Sequence, residues 1–251
     1  MPLFTRIDGP ADAPPLLLLH PLGASLDVWQ PQVHAWRDRF RIFRYDARGH
    51  GRSPVPSGEY SIADLGEDAV SVLDDADLSA ADVCGLSLGG LTALWMAIHH
   101  PSRVRRLIVA NSAPRVGTRE RWVERIERTQ REGMPAMADL AMTTWFTPEF
   151  KQREPDVVAA VRDLIAATDR EGYTGCCAAL RDADLRDDIQ RITAPTLLLI
   201  GDRDASVSGV EVAAMQAAIA GATRASLPAA HLANVECAEA FSRAVASFLT
   251  A

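Results

Sequence analysis

Residues 81–99 read Ala81-Asp82-Val83-Cys84-Gly85-Leu86-Ser87-Leu88-Gly89-Gly90-Leu91-Thr92-Ala93-Leu94-Trp95-Met96-Ala97-Ile98-His99. The first five form a short strand candidate. From Ser87 onward the apolar positions take helical spacing until Pro101 stops them. A strand that turns directly into a helix, with Gly85-x-Ser87-x-Gly89 at the junction, describes one local geometry. The serine sits on a turn so sharp that side chains two positions either side would clash, so glycine stands at both. Gly90 leaves further room for the helix to pack close. The helix N-terminus turns its dipole and free N–H groups toward the serine. Alone, such a pentapeptide arises often by chance. With a strand before it and an apolar helix after it, Ser87 is the candidate nucleophile.

Outward from this elbow, short apolar runs alternate with helical stretches. Leu16–His20, Arg41–Tyr45, Ala81–Gly85, Val104–Ala110, Thr196–Ile200 and Arg224–Leu227 read as strands, and Glu236–Leu249 as a closing amphipathic helix. Short buried strands alternating with helices predict an α/β chain with a doubly wound, mostly parallel sheet. From Thr118 to Ile189 the rhythm breaks. Arg119–Arg131, Met134–Trp145, Asp156–Arg170 and Tyr173–Arg181 are helix candidates, and no strand is evident between them. The block reads as an inserted helical cap, 118–189, dividing the core into segments 1–117 and 190–251.

A serine nucleophile needs a base to take its proton, and the base needs an orienting acid. For a serine on a strand-to-helix elbow the partners follow in the order acid, then histidine. Thr196–Ile200 runs into Gly201-Asp202-Arg203-Asp204, which places two acids at the C-terminal edge of a strand, where ligands bind in open α/β sheets. Asp204 is the preferred partner; Asp202, next to the glycine, is expected to shape the turn by side-chain hydrogen bonding. Of the six histidines, His34, His99 and His100 fall on helix surfaces or ends, His50 lies in a Gly-rich turn, and His20 ends a strand. His231 alone follows the last strand in a short loop before the final helix, the place required of the base.

A tetrahedral intermediate needs two aimed N–H donors. One is expected from Leu88, the residue after the nucleophile. The other is expected from the loop His20-Pro21-Leu22-Gly23, where Pro21 has no N–H and Leu22 is therefore the donor. Asp46-Ala47-Arg48-Gly49-His50-Gly51-Arg52-Ser53 lacks a phosphate-loop pattern and reads as a structural turn, with Asp46 and Arg48 bracing the loops around the site.

Composition narrows the function further. The 251 residues are 48% hydrophobic, ample for a core, and carry a net charge of −7 with scattered arginines. That leaves no basic footprint for nucleic acid. Leu16–Leu19 is too short for a signal peptide or a membrane span. The four cysteines, Cys84, Cys176, Cys177 and Cys237, match neither a metal site nor a disulfide framework, so a reducing, cytoplasmic setting is expected. No metal, cofactor, nucleic-acid or membrane partner is expected; the expected partner is a small-molecule substrate.

These motifs resemble the α/β-hydrolase superfamily along nearly the whole chain. A closer likeness lies outside them. Leu22-Gly23 with Trp29 and Pro31-Gln32 is similar to the 3-oxoadipate enol-lactonases, as are Ala110-Asn111-Ser112-Ala113 and Trp145-Phe146-Thr147-Pro148. So are Cys176-Cys177-Ala178-Ala179-Leu180-Arg181-Asp182-Ala183-Asp184 and His231 with Asn234-Val235-Glu236. The chain departs from relatives at His20-Pro21, where a small polar pair is frequent, and at Thr144, where some carry a basic residue. The resemblance implies an α/β-hydrolase fold and hydrolysis of a lactone formed in aromatic-ring catabolism, through an acyl-enzyme on Ser87. Trp145 is then expected as an apolar wall of the pocket; Arg115, at the start of the cap, is the candidate cation for a substrate carboxylate, against the alternative of a solvated surface arginine. A carboxylesterase, another lactonase or a carbon–carbon hydrolase would use the same three residues, and a ligand-binding receptor on this scaffold is the rival from another class.

Overall fold

The computed structural model describes residues 2–250. The chain forms strands β1 (Thr5–Asp8), β2 (Pro15–Leu19), β3 (Arg41–Tyr45), β4 (Ala81–Leu86), β5 (Val104–Ala110), β6 (Thr196–Gly201) and β7 (Thr223–Leu227). They make one sheet in the order β1-β3-β2-β4-β5-β6-β7, parallel throughout except for β1, which runs antiparallel to β3. β4 is at the centre. Leu17, Val83 and Leu107 lie side by side across β2, β4 and β5, and every residue of β4 and β6 is buried. Strands covered on both faces read as continuous apolar runs, which is why β2, β4, β5 and β6 were legible. The reading of β3 rests on the strand preference of Ile42, Phe43 and Tyr45, and that of β7, mostly exposed at the sheet edge, on its place before His231.

The helices are α1 (Gln30–Trp36), α2 (Ile62–Asp75), α3 (Leu88–His99), α4 (Arg119–Thr144), α5 (Pro148–Arg153), α6 (Pro155–Ala166), α7 (Arg170–Asp182), α8 (Gly209–Ala218), α9 (Ala233–Glu236) and α10 (Ala238–Leu249). α3 packs on β4 and β5 beneath α2, and α1 packs on α10. α4 to α7 are all inserted between β5 and β6, with α4 packed on α6 and α7. No helix among the described residues is long and apolar enough to cross a membrane.

Several elements differ from the sequence reading. β1 went unseen because Thr-Arg-Ile-Asp has no apolar run; it is an edge strand held by the β3 register and by Arg44, whose guanidinium lies 2.7 Å from Asp8. α2, α5 and α8 were also unread. The two helices expected at 119–131 and 134–145 are the halves of α4, broken at Gly133, where φ 76° and ψ 177° leave the helix just before Pro135. The closing helix expected from Glu236 is α10, which starts at Ala238 after a break at Cys237 (φ −121°, ψ 46°) that separates it from the unread α9.

Candidate active site

Ser87 stands where β4 becomes α3, with φ 55° and ψ −116°. A positive φ is strained for a side-chain-bearing residue and persists only where the surroundings dictate it. Here the Ser87 N–H donates to Ala110 O at 2.9 Å, and Ser112 Oγ donates to Ser87 O at 2.7 Å. The flanking glycines are required sterically. A Cβ on Gly85 would stand 2.1 Å from Gly89 O, and one on Gly89 2.2 Å from Leu19 O. Both obstacles are backbone in the sheet or the elbow and have no room to move.

His231, in the loop between β7 and α9, brings Nε2 to 2.9 Å from Ser87 Oγ and Nδ1 to 2.9 Å from Asp204 Oδ2. A carboxylate oxygen accepts, so Nδ1 carries the ring proton and Nε2 is left to accept from the serine hydroxyl. Burial alone would push the Asp204 carboxyl up. The His231 ring, Asn111 Nδ2 and the Ser206 N–H outweigh it and hold the group below the usual carboxylate range. Of the two acids, the structure brings Asp204 to the histidine. Asp202 is exposed, and its carboxylate has no hydrogen-bond partner among the described residues. The turn expected of its side chain is closed instead by backbone, Asp204 N–H to Gly201 O at 3.1 Å.

The supporting residues were not singled out from sequence. Asn111, at φ 47° just past β5, donates to Asp204 Oδ2 at 2.9 Å and to Ala230 O at 3.3 Å. Glu236 accepts from Ala230 N–H at 2.8 Å and Thr147 N–H at 3.2 Å, tying the histidine loop to the segment that carries Trp145. Gln32 and Asn234, both fully buried, exchange hydrogen bonds of 2.8 and 3.1 Å and anchor α1 to α9, the helix that follows this loop. Asn111, Gln32, Asn234 and Glu236 all lie in the stretches that carried the family likeness, which was the available signal.

The N–H groups of Leu22 and Leu88 have no acceptor among the described residues. Leu88 opens α3 directly after Ser87, and Leu22 lies in the loop after β2 and lines the cavity that contains Ser87. Two buried histidines fix that loop. His50 Nε2 accepts from Gly23 N–H at 2.9 Å, and His20 Nε2 accepts from Ala47 N–H at 2.9 Å. Their Nδ1 atoms donate to Arg48 O and Pro21 O. Both rings are therefore neutral, and burial pushes His20 down to about 4 and His50 to about 3. Asp46 Oδ1 accepts from Leu26 N–H at 2.8 Å, and Arg48 binds Asp68 on α2 at 2.6 Å, so this turn braces the loop.

A cavity of about 140 Å³ opens over Ser87 and His231 beneath the inserted helices. Trp145 forms part of its wall, its ring centroid 5.7 Å from that of His231. Arg115 does not reach it. It pairs with Asp184 at 3.2 Å on the surface, because it lies before α4 on the outer side of the inserted block. The cations that do line the cavity are Arg121 and Arg125, four residues apart on α4.

A family model described as the alpha/beta hydrolase fold matches residues 14–237. The chain is 38% identical over 237 residues to 3-oxoadipate enol-lactonase 2 of Acinetobacter baylyi, covering 94% of this chain and 89% of that protein. It is 34% identical over 247 residues to 3-oxoadipate enol-lactonase 1 of the same organism, covering 98% and 92%. The solved structure of the enol-lactonase from Burkholderia xenovorans LB400 superposes with a TM-score of 0.97 at 41% identity, covering 99% of this chain and 96% of that one.

Proposed function

The chain belongs to the α/β-hydrolase fold family and, within it, to the 3-oxoadipate enol-lactonases, and from that premise we propose that it opens the ring of 3-oxoadipate enol-lactone through an acyl-enzyme on Ser87. The observation that supports this best is the pair of 2.9 Å contacts linking Ser87, His231 and Asp204 at the floor of a small cavity.

His231 Nε2 takes the hydroxyl proton as Ser87 Oγ attacks the lactone carbonyl, and Asp204 holds the ring in the required tautomer and stabilises its charge. The N–H groups of Leu22 and Leu88 receive the developing oxyanion. Collapse of the tetrahedral intermediate breaks the ring C–O bond. The leaving group is an enolate, which departs more readily than an alkoxide and ends as the ketone. His231 then activates water, hydrolysis frees the acid, and Ser87 recovers its proton. Trp145 acts as an apolar wall, and the inserted helices 118–189 exclude bulk water. On this reading the protein acts at a ring-opening step, in keeping with the aromatic catabolism that the family resemblance implies. The buried thiols of Cys84, Cys176 and Cys177 fit a reducing compartment, and we place it in the cytoplasm.

The test is turnover of the enol-lactone beside a panel of small lactones and esters, with purified wild type and Ser87→Ala. The enol-lactone is expected as the best substrate, and Ser87→Ala is expected to lose about 10³-fold or more in kcat. Efficient turnover of another ester with none of the enol-lactone would overturn the substrate. Activity of the variant within a few-fold of wild type would overturn the nucleophile.

A further inference from the structure

We propose that Arg125 and Tyr173 form an anion subsite in the Ser87 cavity that holds the free carboxylate of the substrate; this deepens, and rests on, the enol-lactone reading. A lactone of 3-oxoadipate has one carboxyl in the ring and one left free, so its binding site has to receive a carboxylate.

Arginines around the inserted helices are mostly spoken for: Arg115 pairs with Asp184, Arg119 with Asp182 and Arg181 with Glu59. Arg125 is not. It is half-buried, lines the cavity that contains Ser87, and has no carboxylate partner among the described residues. Its side-chain hydrogen bond runs from Nη1 to Tyr173 Oη at 3.2 Å. A guanidinium partly withdrawn from water and left without a counter-ion is costly unless a ligand supplies the anion.

Tyr173 completes the arrangement. It is 3% exposed, and burial raises its phenol well above the ordinary value, so it keeps its proton. Its oxygen accepts from Arg125, while its own O–H has no acceptor among the described residues. A carboxylate placed beside the pair takes one N–H from Arg125 and the O–H of Tyr173, both charge-assisted. The Tyr173 ring also lies against the oxyanion loop: a Cβ on Gly23 would be 3.1 Å from Tyr173 Cε2. The anion subsite therefore borders the loop that carries Leu22, and a short substrate spans both. The rest of the cavity wall leaves the anion little other choice, since Trp122, Leu140, Trp145 and Ile165 are apolar and Thr144 is uncharged. Arg121 adds positive charge one turn away, but it is exposed and more screened.

The experiment compares kcat/KM for two esters of matched length, 4-nitrophenyl butanoate and the mono-4-nitrophenyl ester of succinate, together with the enol-lactone. The variants are Arg125→Gln, Arg125→Lys, Tyr173→Phe and Arg121→Gln, each checked for wild-type thermal unfolding. In wild type the charged ester is preferred. Arg125→Gln is expected to cut the charged-to-neutral ratio by about 10- to 100-fold, mainly through KM, and Tyr173→Phe by less. Arg125→Lys retains part of the ratio by keeping the charge. Butanoate should inhibit the wild type competitively and Arg125→Gln at least tenfold more weakly, by about the same interaction. An unchanged ratio in Arg125→Gln, or a loss that falls on Arg121→Gln instead, overturns the subsite. If the enol-lactone is not turned over but the ratio still depends on Arg125, the substrate falls and the subsite stands. If Arg125→Gln turns over the enol-lactone as wild type does, the subsite falls and the substrate stands.

Discussion

Acid should loosen this protein through two rings that never touch the substrate. His20 and His50, both buried, each have Nε2 facing a backbone N–H and Nδ1 facing a carbonyl, with ring centroids 5.2 Å apart. An added proton would set N–H against N–H and charge against charge. In the unfolded chain each ring takes its proton near pH 6.5, whereas the folded rings resist until about 4 and about 3. Between those values the unfolded state binds more protons, so the folded state loses stability as pH falls and regains it fully above about pH 6.5. With two such rings the slope is about 2.7 kcal/mol per pH unit, and lowering the pH to about 5 costs about 4 kcal/mol. Urea unfolding midpoints measured from about pH 7.5 to about 5 would show it. His50→Gln isolates one ring, because an amide oxygen still accepts from Gly23 N–H yet does not titrate; its slope should be lower by about 1.4 kcal/mol per pH unit. Stability flat across that range, or a slope unchanged in His50→Gln, would refute the reasoning.

Three further outcomes are expected. Asp204→Asn should lose about 10³-fold or more in kcat by favouring the wrong tautomer of His231, whereas Asp202→Asn, at an exposed carboxylate, should stay within about twofold; reversed effects would exchange the two acids. Asn111→Ala should lower kcat about 10-fold by removing the donor to Asp204, and that loss should vanish in the Asp204→Asn background of a double-mutant cycle; additive losses would show that Asn111 acts elsewhere. Gly89→Ala should destabilise the protein by about 3 kcal/mol or more, since its Cβ would stand 2.2 Å from Leu19 O; a urea midpoint equal to wild type would show that the elbow has slack.

The central parallel strands and the elbow were legible because each rests on a local rule. A strand buried on both faces has to be apolar along its length, and a turn as tight as the one at Ser87 excludes Cβ atoms at fixed offsets. β1 obeys neither rule, since an edge strand draws its stability from one partner's register. Asn111 and Glu236 were recognisable only as family likeness. Their hydrogen bonds reach Asp204 from 93 residues away and Thr147 from 89, and no local spacing encodes such a contact. The same holds for the hydrogen bonds of His20 and His50, which reach Ala47 and Gly23 across 27 residues; the polar surroundings of His50 gave no sign of its burial.

Arg115 and Arg125 divide the two kinds of information most sharply. Sequence alone supplied the parts expected to carry the chemistry: a serine on a glycine elbow, an acid and a histidine after later strands, N–H donors expected at Leu22 and Leu88, and an inserted helical block supplying arginines. Which arginine meets the substrate was decided only by tertiary structure. That choice depends on the rotation of α4 about its axis and on which acids α7 and its following turn bring alongside. Asp184 satisfies Arg115 at the surface, while Arg125 is turned inward to Tyr173 with no carboxylate beside it. Backbone strain and burial act within a few residues and leave their mark in sequence; charge pairing across the fold depends on contacts between segments that the chain order does not reveal.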